Sequence, residues 1–203
     1  LVVVHGNLEI NCDVDETELN NLSDLRSVYG DLSIVNTDCS NFNGLDQIQE
    51  ISGSLEIDGN TSLSDISGFS FITSIGGDLI IRNNNAAGHI SGFINLVSIS
   101  GSLIIADNTI LTLDNNPFID LTDIGGNLEI SGTDLLDCID CFNDLNTIGG
   151  DLIRIRDNVS LPQSDAAAFA EAVDTDDGSP PGVFGYDYPD DSANFEIENN
   201  TGI

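Results

Sequence analysis

One five-residue phrase governs what this chain can fold into, because it returns at a nearly fixed interval. Gly6 to Ile10, Gly30 to Ile34, Gly53 to Ile57, Gly77 to Ile81, Gly101 to Ile105 and Gly126 to Ile130 all read Gly-x-Leu-x-Ile, and Gly150 to Ile155 is the same phrase with one extra residue. The glycines fall 24, 23, 24, 24, 25 and 24 residues apart. A repeat of this length is one supersecondary unit that cannot bury its own apolar stripe, so successive units must stack. Leu-x-Ile has a period of two and predicts a short strand with both apolar side chains on one face.

The second half of each unit changes period. Phe93, Leu96 and Ile99 lie three apart, as do Phe118, Leu121 and Ile124, Phe142, Leu145 and Ile148, and Leu22, Leu25 and Val28. That period suits a 3₁₀-like or extended return burying one residue per turn. Three residues beyond each strand isoleucine stands a small residue with a side-chain oxygen: Asp13, Thr37, Asn60, Asn84, Asn108, Thr133, Asn158 and Asn200. Stacked in register, these side chains are expected to point inward and bond backbone groups at a buried corner. The repeated glycine fits either a positive φ or a close approach of two backbones.

The first residues, Leu1 to Gly6, match the end of a return segment. The other end departs from the repeat. Pro162, Ser164 and Asp165 precede an alanine-rich run to Val173, the one strong helix signal. An acidic Gly/Pro loop follows, and Phe195 to Asn200 restates strand and corner. The expected fold is therefore mainly β: a right-handed parallel β-solenoid of about eight coils of roughly 24 residues, with a C-terminal capping helix. It forms one domain over 1–203, with regular coils over 1–158, a helix and acidic loop over 159–193 and a last strand over 194–203.

Gly-x-Leu-x-Ile-x-x-Asn followed by an apolar residue at every third position resembles the receptor L-domain branch of the leucine-rich repeat proteins, over essentially the whole chain. The resemblance implies a right-handed solenoid that binds proteins, or sits in a wall or at a surface. The stretch from Asn158 through the helix to Asn200 is similar to the end cap of bacterial members.

The chain carries 35 acidic residues against four arginines and no lysine, a formal net charge of −31. That excludes nucleic acid and anionic lipid as partners, since both are bound through Lys and Arg. At 40% hydrophobic residues the chain can build a core, unlike a disordered acidic tail, and no apolar run reaches the ~18 residues of a membrane span. A start at Leu1 with no methionine anywhere is expected of a trimmed product. Cys12, Cys39, Cys138 and Cys141 form an even set, which in a secreted chain predicts disulfides. Cys12 with Cys39 would tie adjacent coils, and Cys138 with Cys141 would close a local loop. The compartment expected is secreted or cell-surface.

Few residues point to chemistry. His5 and His89 fall at different phases of the coil, so no Ser/His/Asp or Cys/His constellation forms, and no catalytic residue is assigned. Asp174, Asp176 and Asp177 ahead of Gly178 are the candidates for a calcium loop, the one cofactor considered. The outward positions of the strands are the candidate binding surface. There Ile80, Ile104 and Ala106 form an apolar island flanked by Arg82, with Glu56 and Asp58 beside it. These features favour a non-enzymatic binding or adhesion module whose partner is a surface protein or glycan, or copies of itself. The alternatives are a subunit of an extracellular filament or surface layer, and a carbohydrate-active enzyme built on Glu56 and Asp58.

Overall fold

The structure, a computed structural model, describes residues 2–11, 16–113, 116–136, 139–173 and 194–198. Its main element is an eight-stranded parallel sheet built from Leu8–Ile10, Leu32–Val35, Leu55–Asp58, Leu79–Arg82, Leu103–Ala106, Leu128–Ser131, Leu152–Arg156 and Asn194–Glu198, adjacent in chain order. The pairing is in register. Leu32, Leu55, Leu79, Leu103 and Leu128 stand opposite one another, as do Ile34, Ile57, Ile81, Ile105 and Ile130, and all ten are fully buried. Six regular coils join the first seven strands, fewer than the eight expected. The eighth strand is reached only after the helix Gln163–Val173. In the seventh strand the extra residue shifts the register by one, so Ile153 takes the leucine position opposite Leu128.

The return segment is more ordered than its three-residue period suggests. Each coil closes an i to i+3 turn at this point: the N–H groups of Leu45, Ile72, Leu96, Leu121 and Leu145 donate to the carbonyls of Phe42, Phe69, Phe93, Phe118 and Phe142 at 2.8–3.1 Å. A second parallel sheet of seven two-residue strands follows, Val3–Val4, Ser27–Val28, Glu50–Ile51, Ser74–Ile75, Ser98–Ile99, Asp123–Ile124 and Thr147–Ile148. Its β-branched second residues suit a pleated surface. The expectation of a 3₁₀-like or extended return did not include this sheet, because strands of two residues leave no alternation to detect. Asp65–Ile66 and His89–Ile90 make a third, smaller sheet.

One column of aromatic side chains fills the centre of the return. The Phe69, Phe93, Phe118 and Phe142 rings stack face to face at 5.2–5.8 Å. Phe42 closes one end edge-on at 6.4 Å, and Phe169 of the helix closes the other at 5.9 Å. The helix thus docks by extending the ring stack. Ser164 and Asp165, which as capping residues would stand ahead of the helix, lie within its first turn: the Asp165 and Ala166 N–H groups bond the Pro162 carbonyl.

The corner prediction holds wherever it is described. Thr37, Asn60, Asn84, Asn108, Thr133 and Asn158 are 0–2% exposed. Each asparagine Nδ2 donates 2.9 Å to a strand carbonyl of the preceding coil: Asn60 to Ile34, Asn84 to Ile57, Asn108 to Ile81 and Asn158 to Ile130. Each Oδ1 accepts the backbone N–H of the preceding corner residue, as Asn84 does from Asn60 and Asn108 from Asn84, both at 3.0 Å. The residue just before each corner takes a positive φ of 53–69°: Asn36, Gly59, Asn83, Asp107, Gly132 and Asp157. All are types that tolerate the left-handed region.

The glycine column resolves into close approach. Apart from Gly6, at φ 121°, the glycines of the phrase have no positive φ. Each donates its N–H to the glycine carbonyl one coil back, at 2.8–2.9 Å from Gly53 to Gly150. A Cβ on Gly101 would overlap the Asp78 carboxylate and its backbone. Gly101→Ala is therefore expected to destabilise the fold by about 1–3 kcal/mol, since the obstacle includes backbone as well as a carboxylate oxygen already bonded to the Ser102 N–H. Urea unfolding reads this directly, and an unchanged midpoint would contradict the tight glycine spine.

Candidate functional site

Strand alternation sends three columns of side chains out from the long sheet, and they differ in what they are free to do. The first column, immediately after the glycines, is used in stacking. The backbone N–H groups of Asp31, Ser54, Asp78, Ser102, Asn127 and Leu152 donate to the side chains of Asn7, Asp31, Ser54, Asp78, Ser102 and Asn127 in turn, at 2.6–3.1 Å. This ladder explains why the column is restricted to Asn, Asp and Ser. It also makes the column structural, although sequence reasoning placed it on the free surface.

The second and third columns carry no such duty. The second runs Glu9, Ser33, Glu56, Ile80, Ile104, Glu129 and Arg154. Ile80 and Ile104 stand opposite each other and are half-buried, so this part of the expected apolar island is present. Ala106 is only 8% exposed and offers little surface, which shrinks the island to the isoleucine pair.

Arg82 does more than flank that pair. Its Nη2 lies 2.9 Å from Glu56 Oε1 and its Nε 2.9 Å from Asp58 Oδ2, so it clamps two coils together. Asn83 adds a 2.8 Å bond to the other Asp58 oxygen, and Ser33 contacts Glu56 at 3.4 Å. The hydrogen bond to Asp58 does most to hold the guanidinium above the ordinary arginine range, against the opposing effect of burial and with help from the charges of Asp58 and Glu56. A raised basic pKa contributes stability present below the ordinary value and lost only as pH rises through the raised one. The clamp therefore persists at any neutral or acidic pH at which the carboxylates stay charged. The Arg82 side chain is 45% exposed, so Arg82→Gln is expected to cost no more than about 1 kcal/mol, measured by thermal melting. A loss of several kcal/mol would show that this cluster holds the fold.

The second column does not end at Glu129. The column continues to Arg154, whose Nη1 sits 3.2 Å from Glu129 Oε2. The extra residue of the seventh phrase hid this; the signal available was the doubled apolar pair Leu152-Ile153 ahead of Arg154. With Arg156 in the third column, three of the chain's four cations project from this one face. A shallow depression in the same face is lined by Asn7, Leu8, Glu9, Asp31, Ser33, Ser54, Glu56 and Ile80.

Other sequence candidates fall elsewhere. His5 lies against Tyr29, 5.5 Å between ring centres. His89 is in the third sheet, its Nδ1 3.2 Å from Thr112 Oγ1. Asp174, Asp176 and Asp177 lie outside the described residues, and among those described no three His, Cys, Asp or Glu side chains gather as metal ligands. Cys39 and Cys141 are buried, whereas Cys12 and Cys138 lie outside the described residues. No described helix is long and apolar enough to cross a membrane. No known family model, curated protein or solved structure matches this chain. What stands is a parallel β-solenoid of a repeat type.

Proposed function

We propose that this chain is a non-enzymatic binding module of a secreted or cell-surface protein, of the leucine-rich repeat and receptor L-domain kind, and that it binds through the second and third columns of its long sheet. The supporting observation is the division of labour across that face. One column is spent on the coil-to-coil ladder, while the neighbouring columns keep the Ile80–Ile104 pair and three arginines of a chain that has only four. Ion pairing with Glu56, Asp58 and Glu129 fixes two of those arginines in place, giving a partner a rigid surface with an apolar centre. Rigid presentation limits the ordering cost of association.

Arrays of extracellular ectodomains and of glycans, probed with the wild-type protein and with Ile104→Glu, test the reading. Binding that is lost in the variant supports it. Absence of any binder, or binding indifferent to Ile104→Glu, contradicts it. Glycan cleavage abolished by Glu56→Gln would replace it with an enzymatic role.

Two further expectations belong to this reading. In an oxidising compartment Cys12–Cys39 and Cys138–Cys141 form disulfides, so alkylation under denaturing, non-reducing conditions leaves every cysteine unlabelled; labelling of any would oppose it. A surface with this excess of carboxylates repels itself at low ionic strength, and ~1 M salt shortens the screening length to about 3 Å. The melting temperature is therefore expected to rise as NaCl goes from low to molar concentration, and a flat response would contradict it.

A further inference from the structure

Acidic residues make up roughly one residue in six of the chain, yet none occurs between Asp78 and Asp107. That interval is one whole coil, from the strand Leu79–Arg82 to the strand Leu103–Ala106, midway along the solenoid. A complete turn of this anionic rod therefore carries no carboxylate on any of its sides.

The acid-free coil also anchors a patch of exposed apolar side chains on the return segment, away from the long sheet. Ile94 and Val97 belong to it, Phe71 and Ile119 to the coils on either side, and their exposures are 44, 42, 54 and 38%. Ile94 and Ile119 each follow a phenylalanine of the stacked pair Phe93–Phe118 and so lie in one column. The other described members of that column, Asn43, Ser70 and Asn143, are uncharged.

We propose that this patch is a self-association surface, and that its occupant is a second copy of the chain related by a two-fold axis. Charge selects the partner. A cationic partner would be drawn to the coils on either side, which carry four acids each, not to the one coil without acids. A neutral apolar band gains most for a partner that must itself avoid carboxylates. A second copy at −31 is such a partner, and it brings the same uncharged patch, as an isologous contact requires. Four side chains per copy are far fewer than a stable interface uses, so the association is weak and reversible. Salt must strengthen it, because screening removes the long-range repulsion while apolar burial is kept or enhanced.

Sedimentation equilibrium at low and at ~2 M NaCl tests this, with Ile94→Asp, Phe71→Ser and, on the long sheet, Ile80→Asp as comparison; melting curves verify that each variant is folded. The expected result is a monomer near 21.5 kDa at low salt and a mass approaching twice that at high salt. Both patch variants should abolish the increase and Ile80→Asp should leave it. A monomer at both salts up to submillimolar concentration overturns the proposal. So does a dimer that survives either patch variant, one lost in Ile80→Asp, or a mass that climbs past the dimer. None of these outcomes bears on whether the long sheet binds a different partner.

Discussion

Asn84→Ala is expected to destabilise the protein by roughly 2–4 kcal/mol, because it orphans a buried backbone N–H at about 1–3 kcal/mol and removes a second buried hydrogen bond worth about 1 kcal/mol. The Asn60 N–H loses its acceptor at 3.0 Å and the Ile57 carbonyl loses its donor at 2.9 Å. Asn84 is fully buried, so water cannot replace either bond. Against a total stability of ~5–15 kcal/mol, that is a large share. Asn84→Asp separates hydrogen bonding from volume: it keeps an acceptor but cannot donate to Ile57 when ionised, and it buries a charge. Burial raises such a carboxyl's pKa, so the variant should recover stability as pH falls and lose it as pH rises through the raised value. The neighbouring Asn85 is exposed and bonds only Thr109, at 3.2–3.3 Å; Asn85→Ala should cost well under 1 kcal/mol. Equal losses at 84 and 85 in urea unfolding would refute the buried ladder.

Phe93→Ala is expected to cost about 3–5 kcal/mol, the range for removing a buried aromatic side chain. Its ring lies 5.4 Å from Phe69 and 5.8 Å from Phe118, with interplanar angles of 2° and 13°. The void would open in the middle of a stack, where both flanking coils are fixed by backbone ladders and cannot collapse inward. Phe169, at the end of the stack and tilted by 51°, is a contrasting case. Phe169→Ala should release chiefly the helix Gln163–Val173, so amide exchange there should quicken while the central strands stay protected. A loss below 1 kcal/mol for Phe93→Ala would mean that the rings do not carry the core.

Much of this architecture was legible in the residues, for identifiable reasons. Leu-x-Ile has only one way to bury both side chains, and a near-constant interval leaves stacking as the only way to complete the core. The corner asparagines were legible because a buried polar side chain must find backbone partners. The positive-φ residue ahead of each corner was equally present in the sequence, as an Asn, Asp or Gly in every described coil, but the adjacent asparagines masked it. The Asn/Asp/Ser column on the long sheet reads as ordinary surface polarity until the backbone shows each oxygen accepting from the next coil. The binding face was only partly legible. Alternation places Ile80 and Ile104 outward, but the burial of Ala106 and the two-coil grip of Arg82 depend on spacing between coils, which no single repeat encodes. Arg154 escaped because one inserted residue shifted its phase.

The central claim is that each coil is an interchangeable unit held to its neighbours by the same ladders. Removing residues 79–102 tests it most directly, since this joins Asp78 to Leu103 and deletes one full repeat of 24 residues. Removing only 79–90 breaks the register. Thermal unfolding followed by circular dichroism should show the full-repeat deletion melting cooperatively with a β spectrum like that of the parent, and the half-repeat deletion without a folded transition. If both deletions unfold alike, or both fold alike, the stacked-coil account is wrong.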